Sequence, residues 1–182
     1  MKVLIAYYSL TGNTEKAAKA LRNAFSKKHK VDLLRIETVE PYSIPLVYLT
    51  GSIGAMFGKK REVKEEGLDW SGYDLVILGT PVWAGHPTPP MNDYISRAKG
   101  TVDRKVLTFV TYSGSPGATE KLLEEKIEER DAMLLDFGEI RMTGPWGEKE
   151  TNAAVKMAEE FLEVLSTQPR EISFSGSNIL LR

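Results

Sequence analysis

Four stretches of the chain are apolar almost without interruption: KVLIAYY at 2–8, DLVILGT at 74–80, KVLTFVT at 105–111 and AMLLDFGEI at 132–140. Runs of this length, rich in Val, Ile, Leu and Phe, predict strands covered on both faces, as in a parallel sheet. VDLLRIE at 31–37 is a weaker run and predicts a fifth strand at a sheet edge. Between the strands the apolar spacing becomes helical. Ala17, Ala18, Leu21 and Phe25 mark one helix, Tyr94, Ile95 and Ala98 a second, and Leu122, Leu123 and Ile127 a third. Val155, Ala158, Phe161, Leu162 and Leu165 mark the last. Each parallel pair needs a right-handed crossover, so this alternation predicts an α/β protein. The expected architecture is a three-layer α/β/α sandwich around a five-stranded parallel sheet, occupying residues 1–165.

Two segments stand outside that rhythm. Residues 38–73 separate the second and third strands, with an apolar Gly-containing half and a charged half, GKKREVKEEG. A connection of this length carries an element of its own or a function. Within it, Pro41 to Gly58 is uncharged, but its prolines, glycines and hydroxyl residues make a poor membrane span. Residues 166–182 form a tail that can add a strand, make an oligomer contact or stay disordered. The first residues, MKVLIAYYSLTG, have too short an apolar core for a secretory leader and are expected to be a strand.

Composition narrows the function classes. Lys and Arg total 24 and Asp and Glu 25, for a net charge of −1, so the overall balance favours neither nucleic acid nor an anionic membrane as a partner. There is no cysteine, which removes disulfides, thiolate metal sites and a cysteine nucleophile. It is compatible with a cytoplasmic location. EEKIEERD at 124–131 is expected to be a solvated helix face with i,i+4 charge pairs, and no metal site is expected.

The chemistry is expected in the loop after the first strand. Ser9, Thr11, Asn13 and Thr14 cluster around Gly12 just before a helix. A helix start offers unpaired N–H groups and a partial positive charge, and it favours a phosphate. Gly12 lets the backbone come close, and the hydroxyls and amide add donors. The loop lacks the Gly-Lys-Ser/Thr end of a Walker A loop and the three glycines of a dinucleotide fingerprint. From the residues alone, simple capping by Thr11 or Gly12 accounts for part of the pattern.

Tyr7-Tyr8-Ser9-Leu10-Thr11-Gly12-Asn13-Thr14-Glu15 resembles the [ST]-x-T-G-x-T phosphate loop of the flavodoxin-like family, and the resemblance extends over residues 1–165. It implies strand order 2-1-3-4-5 and FMN as cofactor, with the FMN phosphate on Ser9, Thr11, Gly12, Asn13 and Thr14. Two later loops lie where that family holds the flavin ring: GTPVWAGHPTPP at 79–90 and TYSGSPGATE at 111–120. The resemblance implies that Pro81, Val82, Trp83, Ala84 and Gly85 hold one side of the ring. Tyr112, Ser113, Gly114 and Gly117 would hold the other. Gly85 would let a peptide reorient beside the flavin. His86 stands where electron-carrying relatives have acidic residues, and it should make the reduction potential less negative. His29, at the end of the first helix, is expected to be a surface residue complementing the helix dipole.

Three readings of activity remain open. The resemblance implies a redox protein that works by reversible reduction of bound FMN and passes electrons to a partner protein or small acceptor. An alternative is an FMN-dependent NAD(P)H reductase of quinones or nitro compounds. A third is a non-redox binding module, against which the polar phosphate loop argues. Near-neutral charge and the absence of acidic residues in the Trp83 loop weigh against an ordinary carrier, and the lack of a nicotinamide motif weighs for one. The oligomeric state stays open.

Overall fold

The computed structural model describes residues 1–40, 42, 47–64 and 67–167. The apolar runs form β1 (Lys2–Tyr7), β2 (Lys30–Arg35), β3 (Leu75–Trp83), β5 (Lys105–Tyr112) and β6 (Met133–Arg141), and a two-residue strand, β4 (His86–Pro87), lies between β3 and β5. The helices are α1 (Asn13–Phe25), α2 (Val47–Met56), α3 (Pro89–Arg97), α4 (Thr119–Glu128) and α5 (Glu148–Thr167). The five long strands are parallel in the order β2-β1-β3-β5-β6, and β4 pairs antiparallel with β3 alone. Counting only the long strands, this is the expected 2-1-3-4-5 order.

The pleat sorts the core into two layers. Val3, Ile5, Tyr7, Leu75, Ile77, Leu107 and Phe109 face α1 and α5. Leu4, Ala6, Val76, Leu78, Val106 and Val110 face α3 and α4. Alternate residues of each strand thus serve opposite faces, which is why the strands read as unbroken apolar runs. Gly79 pairs across the sheet with Phe109. A Cβ there would stand 2.2 Å from the Phe109 ring, so a glycine is what lets that ring lie over the strand.

Two expectations shift. The strand predicted at 74–80 runs on to Trp83, because Thr80 and Pro81 keep pairing with Val110 and Thr111 of β5. Pro81 lacks an N–H donor, and it is tolerated because β1 has already ended opposite Gly79. In α5, Val155 is 43% exposed, and Ala154, Met157, Ala158 and Phe161 form the buried face. The long 38–73 connection contains α2 and returns through Trp70, which is fully buried and donates its indole N–H to Tyr94 Oη at 3.3 Å. Helix α5 extends through Thr167, and the rest of the tail lies outside the described residues.

His29 is also placed differently from expectation. Its ring lies 6.0 Å from that of Phe25, and its Nδ1 is buried without a partner. Burial lowers its pKa from the ordinary 6.5, assisted by the charges of the chain N-terminus and Lys28. Burial therefore favours the neutral imidazole of His29. The unfolded chain takes up this proton at higher pH than the folded one, so this contribution to stability is present above the ordinary value and is lost as pH falls through the folded pKa. His29→Gln is expected to lessen the drop in urea midpoint on acidification from neutral pH into the range below 6.5. An unchanged pH slope in the variant would assign the acid sensitivity elsewhere.

Candidate functional site

The loops that follow β1, β3 and β5 meet at one edge of the sheet, beside the point where strand order reverses. Helix α1 starts there. Gly12 precedes it with φ 89°, a conformation glycine adopts freely, and no side chain caps the helix. The first N–H groups of α1 thus remain available to an anion. The loop holds its own shape: Gly12 N–H donates to Ser9 Oγ at 3.1 Å, and Arg35 donates to the Ser9 carbonyl at 3.1 Å. Glu15, in the first turn, is turned toward Lys19 and Arg35, and its hydrogen bond from Lys19 holds its carboxyl below the usual range.

A cavity of 340 Å³ opens over this helix start, lined by Thr11, Asn13, Thr14, Trp83, Thr111 and Tyr112 among others. Thr14 is buried, and its hydroxyl lies 2.8 Å from that of Thr111. Two hydroxyls sharing one bond leave one further hydrogen to donate.

A second cavity, of 500 Å³, lies between the next two loops and is walled by Val82, Ala84, Gly85, Tyr112, Ser113 and Gly114. The two cavities share Val82, Tyr112 and Ser113. Here the expected loop after β3 is a hairpin. Val82 pairs with Pro87 and Trp83 with His86, leaving Ala84 and Gly85 as a two-residue turn with φ 51° and 76°. Positive φ at both positions matches a type I′ turn, whose twist suits a hairpin. The Ala84 carbonyl lies 2.7 Å from His86 Nδ1. A carbonyl only accepts, so Nδ1 carries the hydrogen.

The hairpin is locked to the loop after β5. The Gly85 carbonyl accepts from Ala118 N–H at 2.9 Å, and the Gly117 Cα packs against Gly85. Gly117, at φ 59°, donates its N–H to Ser115 Oγ at 3.1 Å. The Gly85 carbonyl is thus fixed, and the peptide free of the sheet in this turn is that between Ala84 and Gly85.

Trp83 is fixed from behind. A Cβ on Gly51 of α2 would stand 2.6 Å from the indole, so the helix packs directly against the ring. Tyr8 and Tyr42 meet Trp83 edge-on at 5.9 and 5.3 Å. Such aromatic pairs add about 0.5–1.5 kcal/mol each to area burial. On the other wall, Tyr112 donates its hydroxyl to Glu139 at 3.0 Å, and burial raises its pKa, with Glu139 adding to the shift.

The first 134 residues match the family model for NADPH-dependent FMN reductase. This chain belongs to that family. No curated protein matches the sequence. Among solved structures, a proposed flavoprotein from Bacteroides eggerthii superposes with TM-score 0.69 at 24% identity, covering 92% of this chain and 99% of that one. A flavoprotein in complex with FMN from Lactobacillus acidophilus NCFM gives 0.62 at 24%, covering 76% and 92%. The oxidised flavodoxin 2 of Bacillus cereus gives 0.59 at 23%, covering 90% and 99%. Identities this low speak for the fold, which is flavodoxin-like. This family member binds FMN and acts through its reversible reduction.

The cavities suit that cofactor. An uncapped helix start and a buried hydroxyl pair fit a phosphate, and a cleft between two backbone-locked loops fits a flat ring. Of the expected residues, Thr11, Asn13, Thr14, Pro81, Val82, Trp83, Ala84, Gly85, Tyr112, Ser113 and Gly114 line one cavity or the other. Ser9 and Gly12 shape the loop, and Gly117 locks Gly85. Leu10, Thr111 and Met142 also line the first cavity and were missed. Thr111 is brought there by its register opposite Pro81, and Met142 by its N–H bond to the Tyr112 carbonyl at 2.6 Å. The available signal was positional: each residue ends or follows a strand at the ligand edge. Trp146 stays away from both cavities, its indole N–H donating to Thr151 in its own turn.

Proposed function

We propose that the protein takes electrons from NADPH onto its FMN and passes them to a small acceptor. Family membership carries this reading, which stood in the sequence as the alternative to an electron carrier. Thr11, Asn13, Thr14 and Thr111, with the first N–H groups of α1, would hold the phosphate. Val82 to Gly85 and Tyr112 to Gly114 would hold the ring. Bound FMN supplies the redox chemistry, and the protein supplies position and electrostatics. Quinones and nitro compounds are the acceptor classes to try.

The deciding experiment is anaerobic mixing of FMN-loaded protein with NADPH while flavin absorbance is followed. Loss of absorbance within the turnover time supports the reductase. A flavin that stays oxidised until a reductase protein is added returns the molecule to the carriers. His86→Asp, beside the ring cavity, is expected to make the FMN potential more negative, because a carboxylate disfavours added negative charge on the flavin. An unchanged potential in a redox titration would remove His86 from its control.

A further inference from the structure

A third cavity opens at the same edge of the sheet, between the ends of β1 and β2. It has a volume of 240 Å³ and is walled by Tyr8, Leu10, Arg35, Ile36, Glu37 and Tyr42 among others. Leu10 also lines the phosphate cavity, so the two adjoin. Trp83 lines the phosphate cavity, whereas Tyr8 and Tyr42, which meet its indole edge-on, line this one. The indole thus stands between the third cavity and the flavin site. Drug-sized ligands occupy roughly 300–1,000 Å³, so this smaller space fits one or two rings and not a dinucleotide.

One polar group in it is free. Tyr8 is 6% exposed, and its hydroxyl makes no hydrogen bond among the described residues. That oxygen is not one of the partnerless side-chain atoms sealed away from solvent, so it opens into the cavity that Tyr8 lines. Burial pushes the Tyr8 phenol up from its ordinary pKa, and it keeps its hydrogen as a donor. The charges at the rim are already matched. Arg35 spends Nη1 on Glu15 and Nη2 on the Ser9 carbonyl, each at 3.1 Å, and Glu37 pairs with Lys64. The remaining walls are the apolar Leu10 and Ile36 and the ring of Tyr42. They are fixed in place, since Ile36 N–H donates to the Tyr7 carbonyl at 2.7 Å and the next wall residue, Thr38, bridges to Val63.

We propose that this pocket binds a small, uncharged, flat molecule whose carbonyl or nitro oxygen accepts a hydrogen bond from the Tyr8 hydroxyl. Apolar walls favour a ring, a single neutral donor favours one accepting oxygen, and rim charges with partners of their own favour a ligand without charge. Quinones and nitroarenes have this chemistry. The pocket then holds an electron acceptor beside the flavin site; its role as acceptor rests on the reductase reading, and its binding does not.

The test uses FMN-loaded protein, so that the flavin cavities are already filled, and contains no NADPH. Amide resonances are followed by NMR during titration with 1,4-naphthoquinone, nitrobenzene, toluene and benzoate. Saturable shifts are expected at Tyr8, Leu10, Ile36 and Thr38 with the first two, and the tighter of them identifies the class. Toluene, which lacks the oxygen, should bind roughly three- to tenfold more weakly than nitrobenzene, the worth of one hydrogen bond. Tyr8→Phe keeps the ring against Trp83 and should erase the difference between nitrobenzene and toluene. Shifts confined to Ala84, Gly85 and Ser113 to Ser115 would place the probes in the flavin cleft and overturn the pocket. A preference for nitrobenzene that survives Tyr8→Phe, or benzoate binding as tightly as nitrobenzene, would overturn it as well. Because NADPH is absent, failure here and failure of the reductase reading are separate results.

Discussion

Gly117→Ala is expected to dismantle the ring-binding cleft while leaving the sheet intact. At φ 59° an alanine is strained, and its Cβ would stand 2.5 Å from Gly85 Cα and 2.6 Å from the Gly85 carbonyl oxygen. Neither backbone atom can turn aside as a side chain would. Left-handed strain and overpacking each cost roughly 1–3 kcal/mol, so the two loops must separate and the Ala118 N–H to Gly85 bond must go with them. FMN affinity should fall by about a hundredfold, with far-ultraviolet circular dichroism unchanged. A variant that binds FMN like the parent would mean that the lock between the loops does not shape the cleft.

Thr14→Val should have the second largest effect. The substitution keeps the shape and deletes a buried hydroxyl that is 2.8 Å from Thr111 Oγ1. It takes one donor from the phosphate cavity and leaves Thr111 with a bond to find. The loss is about 1–3 kcal/mol, or about tenfold or more in FMN affinity by fluorescence titration. Thr111→Val should cost a similar amount, and the double variant less than the sum, because the two hydroxyls act on one another. Strict additivity would show that they contact the ligand independently.

These two sites also mark how far the sequence could be read. Strands covered on both faces have to be apolar at every position, so β1, β3 and β5 were legible, and the helix period placed the connections. The phosphate loop was legible because its residues are contiguous and sit between a strand and a helix. Thr111 was not, since its role depends on its pairing opposite Pro81 and on how near that brings Thr14. The hairpin at Ala84 and Gly85 was hidden for a related reason. The strand was expected to stop at Thr80, before Pro81, yet Pro81 continues it because it falls where β1 has already ended, and Gly79 within the strand makes room for Phe109. Nor could composition show that Gly85 and Gly117, over thirty residues apart in sequence, touch through their backbones. Val155 failed as a core marker because the buried face of α5 is turned by one residue toward Ala154.

The most direct measurement is a parallel titration of the unliganded protein with FMN and with riboflavin, which differ only in the phosphate. If the uncapped start of α1 and the Thr14–Thr111 pair bind that phosphate, FMN should bind tighter by about two to three orders of magnitude, and the gap should narrow with rising salt. Equal affinities for the two flavins would mean that the loop from Ser9 to Thr14 is not a phosphate site.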